Sequence, residues 1–459
     1  MKGKKATTER GAVGALRSVG GWAWGVILLF LLVWGALPCK GELTQAKGVF
    51  AGRLKQAIES QDAEGCVRLA TWAQEQGLAY EYVAALRTAL LLDRRHEAAR
   101  RALRRYAARY RVLPVNKEAS AELLAAMGDS FRLRRTRHYR IAYNCSEAFA
   151  MASAERLEAT YRRFMGFFEA RYFQPAPLTD RLEVVLFADR KGFEAYVARE
   201  APTLRHSSGF YLSKTGRCYF YDRVNDAHYR EQLAALEAAR QEVAAFQRQV
   251  TEGEGKRFRV RRPNGTEAEL SRVELLGELA AQQRQVEGGY AELHALYEEL
   301  NASVTVHEAV HQLAYTCGVH SRYYETPKWL SEGLALYFDS GADVRGQRLT
   351  GVALRRAITF RENQSSEERI DLESLLSDDT LFSLEESDGE EAYAAGWALF
   401  YYLSRQRHEQ LFDYLYVLSL RISNEPYGRQ ERRQDFEHYF GAVGDVQRHW
   451  RYWMGRSDG

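Results

Sequence analysis

The sequence is poor in cysteine, proline and net charge, and each shortage excludes a class of protein. Its 459 residues hold five cysteines, too few for a disulfide scaffold and without a CxxC pair, so we interpret them as isolated thiols. Eight prolines favour a helix-rich chain. Lysine and arginine number 64 against 61 acidic residues, and the net charge of +3 gives no global attraction to nucleic acid. Hydrophobic residues at 46% can build a large core, which excludes a mainly disordered chain.

The most uniformly apolar stretch, residues 22–37, follows a flank with five basic residues and one acidic residue. This pattern is typical of a secretory signal peptide, and extension back to Val19 would give the length of a membrane anchor. We therefore predict that residues 1–41 are a signal peptide or membrane anchor. Cleavage before Glu42, lipidation of Cys39, a retained anchor and a buried core helix stay open. The first three predict an exported or cell-envelope protein, periplasmic or membrane-anchored facing outward in a bacterium.

Residues 43–130 show apolar and small residues at helical spacing and are predicted to be helical. Part of this region resembles a degenerate tetratricopeptide unit, although a plain helical bundle explains the pattern equally well. An arginine-rich stretch, at residues 94–111 and again at 132–137, indicates either attraction to an acidic surface such as anionic lipid or a solvated helix face.

Residues 137–225 alternate between strand and helix patterns. Residues 138–143 and 182–187 read as strands, a helix opened by Ser146 lies between them, and residues 209–212 and 217–222 are predicted to form a hairpin. This region is predicted to be an α+β segment with a small mixed sheet.

Residues 226–300 carry two helical stretches with apolar seams, which predict an antiparallel coiled-coil insertion. A hairpin around Pro263-Asn264-Gly265 is expected at its tip. The insertion is a candidate partner-binding or substrate-gating arm, and its alternative is a rigid spacer.

The residues most informative about chemistry are His307-Glu308-Ala309-Val310-His311. Histidines four positions apart lie about 40° apart around a helix, so both rings can reach one metal ion, and Glu308 could take a proton from water there. Ser303 is a candidate cap for the start of this helix, and Gly318 is a natural stop.

A second motif follows in Thr326-Pro327-Lys328-Trp329-Leu330-Ser331-Glu332-Gly333. The Thr-Pro pair predicts a helix start, which puts Glu332 in its second turn. A catalytic zinc site needs three protein ligands and one position for water, and His307, His311 and Glu332 supply three. We predict that residues 301–345 form the zinc-site helices and residues 346–459 a C-terminal helical part.

H-E-x-x-H followed by W-L-x-E-G-L-A resembles the gluzincin metallopeptidases, the thermolysin-like and aminopeptidase-like superfamily, and within it an uncharacterised bacterial branch described as peptidase-MA-like. The resemblance covers about residues 137–225 and 300–405. It implies Zn²⁺ bound by His307, His311 and Glu332, with Glu308 as the general base.

Tyr393-Ala394-Ala395-Gly396 resembles the Tyr-x-x-Gly helix of gluzincin aminopeptidases, which implies that Tyr393 stabilises the oxyanion; a core aromatic is the alternative. The chain lacks the Gly-x-Met-Glu-Asn segment that anchors the substrate amine in those enzymes. It also carries Leu336 where thermolysin-like enzymes keep a second acid. Asp339, seven positions beyond Glu332, shares its face but lies about 10 Å from it along the helix axis. By the same resemblance, residues 217–222 are the candidate for the edge strand that aligns the peptide.

These features predict a zinc-dependent peptidase, in the first place an endopeptidase, that acts on peptide or protein substrates outside the cytoplasm. One alternative is an envelope scaffold with a structural or relict zinc site, in which Cys317 or His320 could be a fourth ligand. A cell-wall peptide amidase is a second alternative. The expected partners are the substrate, the membrane through the N-terminal segment, and a protein bound to the arm or the helical repeats.

Overall fold

The computed structural model describes residues 41–456 except 171–172, 205–206, 254, 256, 262–266, 323, 342–348, 350, 365–369, 383–386 and 422–425. This part of the chain forms sixteen α-helices and seven strands, which confirms a mostly helical α+β fold with a small mixed sheet. The predicted signal peptide or anchor lies outside the described residues except for Gly41. Among the described helices, none is both long and apolar enough to cross a membrane.

The chain divides into two compact units, Met1–Ala102 and Leu103–Gly459, which we call the N-terminal unit and the main unit. The helices of the N-terminal unit are α1 (Gly41–Glu59), α2 (Ala63–Glu75) and α3 (Ala79–Leu92), and α4 (Glu97–Arg109) crosses the boundary. Asp62 caps α2 by accepting a hydrogen bond from the Gly65 amide at 2.7 Å. The helical prediction for this region is confirmed, and its tetratricopeptide character stays a prediction.

The main unit contains a five-stranded sheet and three helices that precede or connect its strands. These elements are α5 (Lys117–Met127), β1 (Arg132–Arg135), β2 (Tyr139–Tyr143), α6 (Glu147–Glu169), β3 (Leu182–Phe187), α7 (Arg190–Glu200), β4 (Gly209–Leu212) and β5 (Arg217–Tyr221). The strand order is β1-β2-β3-β5-β4, and the inner pairs β2–β3 and β3–β5 are parallel. Both outer pairs are antiparallel, so the sheet is mixed as predicted.

Two details of the sheet correct the sequence analysis. The hairpin of β4 and β5 is present, but β5 lies between β3 and β4, so residues 217–222 are not an edge strand; β4 is. Strand β1 was hidden in the arginine-rich stretch, because Leu133 is the one apolar residue in its four positions. Its pairing with β2 decides its conformation.

A long arm follows the sheet. Its elements are α8 (Ala227–Glu252), β6 (Arg257–Arg261), β7 (Glu267–Ser271) and α9 (Arg272–Thr316). The rings of Tyr229 and Tyr297 lie 4.7 Å apart, and Tyr290 donates a hydrogen bond to Glu237 at 2.9 Å, so the helices run antiparallel. Strands β6 and β7 pair at the far end, and the predicted Asn-Gly turn between them lies outside the described residues.

Helix α9 continues without a break from the arm into the H-E-x-x-H motif over 45 residues. The expected cap at Ser303 is therefore wrong. The helix begins after Ser271, which forms a capping box with Glu274. It ends at Thr316, with Cys317 as its C-cap and Gly318 at a positive φ of 68°.

Seven helices complete the main unit: α10 (Lys328–Asp339), α11 (Gly351–Gln364), α12 (Leu372–Ser377), α13 (Ser387–Gln406), α14 (His408–Leu420), α15 (Arg429–Phe440) and α16 (Val443–Arg456). They share one large core with α6, the end of α9 and one face of the sheet. Trp329, Trp397 and Trp450 are fully buried in this core. Such burial fixes α10 and α13 around the C-terminal end of α9, where the candidate site lies.

Candidate metal centre

The last turns of α9 are held tightly against the sheet. Buried Gln312 donates hydrogen bonds from Nε2 to the carbonyls of Glu183 at 2.9 Å and Gly216 at 2.7 Å. At Gly209 on β4, an added Cβ would lie 2.6 Å from Val304 Cγ1, so only glycine allows the strand to approach the helix this closely. These contacts fix the height and rotation of the turns that carry His307 and His311.

Helix α10 brings Glu332 to the same place. The helix starts at Lys328, directly after the Thr-Pro pair as predicted, with Pro327 at its N-cap position, and Glu332 is buried one turn inside. A Cβ on Gly333 would lie 2.7 Å from the carbonyl oxygen of Gly396 on α13, so the backbones of α10 and α13 nearly touch. The glycines of the two sequence motifs thus have the same role, which is to let the two helices pack closely.

His307, His311 and Glu332 converge on one point. The Nε2 atoms of the two histidines lie 3.1 Å apart, and Glu332 Oε2 lies 3.1 Å from His307 Nε2 and 3.4 Å from His311 Nε2. Among the described residues these three form a group that could hold a metal ion. The pairing of the two motifs in space agrees with the sequence analysis.

The donor set fits a zinc ion. Tetrahedral zinc with ligand bonds of 2.0–2.1 Å keeps neighbouring ligand atoms about 3.4 Å apart, close to the separations observed here. Two imidazole nitrogens and one carboxylate oxygen suit zinc, although other divalent transition metals accept the same donors. The structure therefore identifies residues able to bind a metal ion, and the choice of zinc belongs to the proposal below.

Asp339 contacts the His307 ring on the side opposite the candidate metal position. Its Oδ2 lies 3.3 Å from His307 Nδ1 and accepts a hydrogen bond from Ser303 Oγ at 3.3 Å. Arg356 on α11 pairs with both oxygens of this buried carboxylate and donates to the carbonyl of Leu336 at 3.0 Å. A proton on His307 Nδ1 leaves the Nε2 lone pair free for a metal ion.

The sequence analysis left the role of Asp339 undecided because of its distance along the helix from Glu332. That distance is what the role requires. Glu332 and Asp339 contact opposite nitrogens of the His307 ring. The two helical turns that separate these carboxylates along α10 place one of them on each side of the ring. Arg356 was missed, because no local pattern links α11 to this ring.

Glu308 points toward the edge strand. Its Oε2 accepts a hydrogen bond from the backbone amide of Tyr211 on β4 at 2.8 Å. Burial raises the pKa of Glu308, while the charges of His307 and His311 act in the opposite direction. The free edge of β4, and not β5, therefore faces the candidate site.

The ligand residues influence one another strongly. Burial lowers the pKa of His307, but hydrogen bonds to Asp339 and Glu332 and the charge of Glu308 outweigh it and raise the pKa to about 10. Burial opposes the charged form of Glu332, yet the two histidines hold its pKa well below the usual range. The neighbouring carboxylates thus favour the protonated form of His307, and a metal ion that binds its Nε2 has to displace a proton.

Tyr393 lies on α13 next to Gly396, whose close contact with α10 brings this turn toward Glu332. Its hydroxyl is 3.5 Å from the carbonyl oxygen of Phe382, a long hydrogen bond, and the two rings pack at 5.3 Å. Burial and the charges of Glu332 and Glu308 raise the pKa of Tyr393, so its hydroxyl stays protonated.

The two suggested fourth ligands do not join the group. Among the residues that the structure describes, the set contains neither Cys317 nor His320. Both are buried, and the His320 ring packs against Tyr315 at 5.2 Å. Burial and the charge of His311 lower the pKa of His320 to about 3, so it is a neutral core histidine beside the site.

Comparison with protein families gives one match. The family described as "Protein of unknown function (DUF1570)" matches residues 301–425. The matched segment includes all three potential ligands, Glu308 and Tyr393. Comparison with proteins of curated function finds no match.

Proposed function

We propose that this protein is a zinc-dependent peptidase of the gluzincin type, in the first place an endopeptidase. The observation that carries the proposal is the convergence of His307, His311 and Glu332, with Glu308 beside them. Three protein ligands are the number found in catalytic zinc centres, whereas structural centres use four. The peptide substrate would lie along the free edge of β4.

Zinc bound by these residues would supply Lewis acidity toward the scissile carbonyl and toward water. Glu308 accepts the proton of the attacking water and passes it to the leaving amine. Its burial favours this role, since a raised pKa makes the carboxylate a stronger base at neutral pH. Asp339 fixes the orientation and the tautomer of His307. Tyr393, protonated and with a long hydrogen bond to Phe382, donates to the oxyanion.

The first test is the variant Glu308→Gln, which removes the base and keeps the size of the side chain. Zinc content should stay the same, while kcat/KM on a cleaved peptide should fall by about 10²- to 10⁴-fold. Exposed Glu325, which pairs with Arg432 at 3.9 Å, provides the control variant Glu325→Gln, and its activity should equal that of the wild type. Wild-type turnover in Glu308→Gln would refute the base assignment.

A second candidate is an envelope scaffold with a structural zinc ion, suggested by the long arm and the N-terminal helices. A peptide-library cleavage assay combined with metal analysis and a zinc-directed hydroxamate distinguishes the two. The peptidase predicts one zinc per chain and cleavage that the hydroxamate inhibits. Zinc without any cleavage would favour the scaffold.

A further inference from the structure

Lys328 lies beside the metal centre and has no part in the mechanism above. It is the first residue of α10, one turn before Glu332 on the same face. Its ammonium lies 3.4 Å from Glu332 Oε1, the carboxylate oxygen that the histidines leave free. The backbone amide of Lys328 donates to Asp379 at 2.9 Å, which fixes the start of the helix.

The Lys328 side chain is accessible as well as close. The relative exposure of its side chain is 49%, against 7% for Glu332, so about half of the Lys328 side chain is open to solvent while its partner is buried. Glu332 is its one ion-pair partner among the described residues, and the Asp379 side chain is engaged with Arg432 at 2.8 Å. A cation bound to Glu332 neutralises the carboxylate charge that otherwise balances Lys328. The Lys328 ammonium can then attract another anion.

Two aromatic rings connect Lys328 to the edge strand. Tyr315 lies one turn beyond His311 on α9, and its ring stacks on Tyr211 of β4 at 5.8 Å with an interplanar angle of 15°. Helices α9 and α10 run antiparallel here, because His307 contacts Asp339 and His311 contacts Glu332. The next turn of α9 carries Tyr315 and the preceding turn of α10 carries Lys328, which brings these two residues near each other. Tyr211, Tyr315 and Lys328 therefore form a row from the substrate-facing edge to the cation, which we call the Tyr-Tyr-Lys row.

We propose that Lys328 determines specificity by binding a carboxylate of the substrate, with its chain lying along the Tyr-Tyr-Lys row. The proposal rests on the proposed peptidase function and names its substrate class, peptides with a carboxylate close to the cleaved bond. An aspartate or glutamate side chain and a free C-terminus offer the same chemistry. Lysine and carboxylate form a charge-assisted hydrogen bond, which is stronger than a bond between neutral groups.

The test compares matched peptides on the zinc-loaded protein. One pair differs by glutamate or glutamine near the cleaved bond, and the other by a free or amidated C-terminus. The wild type should prefer the carboxylate member of at least one pair by about tenfold in kcat/KM, and the pair concerned identifies the source. Equal cleavage within both pairs would overturn the proposal.

The variant Lys328→Gln should abolish that preference and retain one zinc per chain. Lys55→Gln is the matched control, because Lys55 also pairs with a glutamate one turn later, Glu59, at 3.9 Å on α1 of the N-terminal unit. This control should keep the preference. A preference that persists in Lys328→Gln would exclude Lys328 as its source.

A binding measurement separates this proposal from the peptidase proposal. Calorimetry with two small hydroxamates, one with a carboxylate and one with an amide in its place, does not require turnover. Tighter binding of the carboxylate probe, by about tenfold and lost in Lys328→Gln, supports the carboxylate site even if no peptide is cleaved. Equal affinity of the wild type for both probes would overturn it even if peptides are cleaved.

Discussion

His307 is the residue on which most contacts of the candidate centre meet. Its two ring nitrogens contact different carboxylates of one helix, Glu332 on the ligand side and Asp339 on the other. Arg356 in turn holds Asp339 through both oxygens. A change two contacts away from the metal position can therefore alter the direction of the His307 lone pair.

Replacing Asp339 by asparagine tests this support. The amide keeps the shape but loses the charge that orients the ring and pairs with Arg356, so metal affinity should fall by about 10- to 100-fold. The Kd for zinc, measured by competition with a chelator, gives the readout. Asp371→Asn is the control, because Asp371 caps α12 and asparagine caps equally well. Unchanged affinity in Asp339→Asn would contradict the role of Asp339.

A partly buried carboxylate outside the site, Glu158, makes a pH-dependent contribution to stability. Burial opposes the charge of Glu158, yet hydrogen bonds from His138 and Thr136 outweigh it and lower the pKa of Glu158 from 4.5 to about 2. The fold thus favours the carboxylate. Its contribution is complete above about pH 4.5 and is lost as the pH falls toward 2.

The variant Glu158→Gln measures this contribution. The free energy of unfolding of the wild type should exceed that of the variant by up to about 3 kcal/mol near neutral pH, and the excess should shrink between pH 4.5 and 2. Urea unfolding at pH 7, 5, 4 and 3 supplies the curve. A difference that does not depend on pH would show that the loss comes from packing alone.

At the level of single residues, the sequence predicted the potential ligands because their geometry is local. Four positions on a helix place His307 and His311 side by side whatever the rest of the fold does. The contacts of Asp339 with His307, and of Tyr211 with Glu308, depend on how α10 and β4 cross α9. No spacing within one element contains that information.

At the scale of secondary-structure elements, a helix crossing at two glycines positions the site. Gly333 on α10 and Gly396 on α13 let the two backbones approach, with 2.7 Å between a Cβ placed on the first and the carbonyl of the second. The residues Glu332 and Tyr393 lie in these two turns. Glu332 and Tyr393 are thus close because Gly333 and Gly396, in the same two turns, have no side chain that would hold the helices apart.

The variant Gly333→Ala should push α10 from α13. We expect a loss of about 1–3 kcal/mol in the free energy of unfolding and weaker metal binding, measured by chemical denaturation and chelator competition. Gly277→Ala on the exposed arm is the control, since nothing lies within 4 Å of its added Cβ and α9 should gain up to about 1 kcal/mol from the better helix former. Equal stability of Gly333→Ala and the wild type would contradict the packing argument.

Sequence patterns predicted most helices and strands but not all of their boundaries. The seams of the arm helices and the strand at residues 182–187 were correctly predicted from periodicity. Ser303 was misread, because a capping residue looks the same whether a helix starts there or already runs through it. The inner position of β5 was also missed, because strand order depends on long-range pairing.

For the whole molecule, metal binding and folding should be linked. The ligands come from α9 and α10, which are brought together in the folded main unit, so an ion that binds them stabilises that unit. At a free zinc concentration 100 times Kd, the gain is about 2.7 kcal/mol.

Differential scanning calorimetry tests this link. Zinc should raise the Tm of the main unit, and the variant His311→Ala should show little of this rise because it lacks one ligand. A rise of equal size in His311→Ala would place the zinc ion elsewhere, and no rise in the wild type would contradict metal binding. The predicted signal peptide or anchor stays a prediction.

The unbroken course of α9 has a geometric consequence for any change in the arm. Each residue of an α-helix turns the chain by 100°, so inserting a single residue near Gly288 would swing the outer arm to another side of the molecule while the metal-binding end stays in place. Adding or removing seven residues would restore nearly the original heading. Homologous arms should therefore differ in length by multiples of about seven in each helix, if their direction matters.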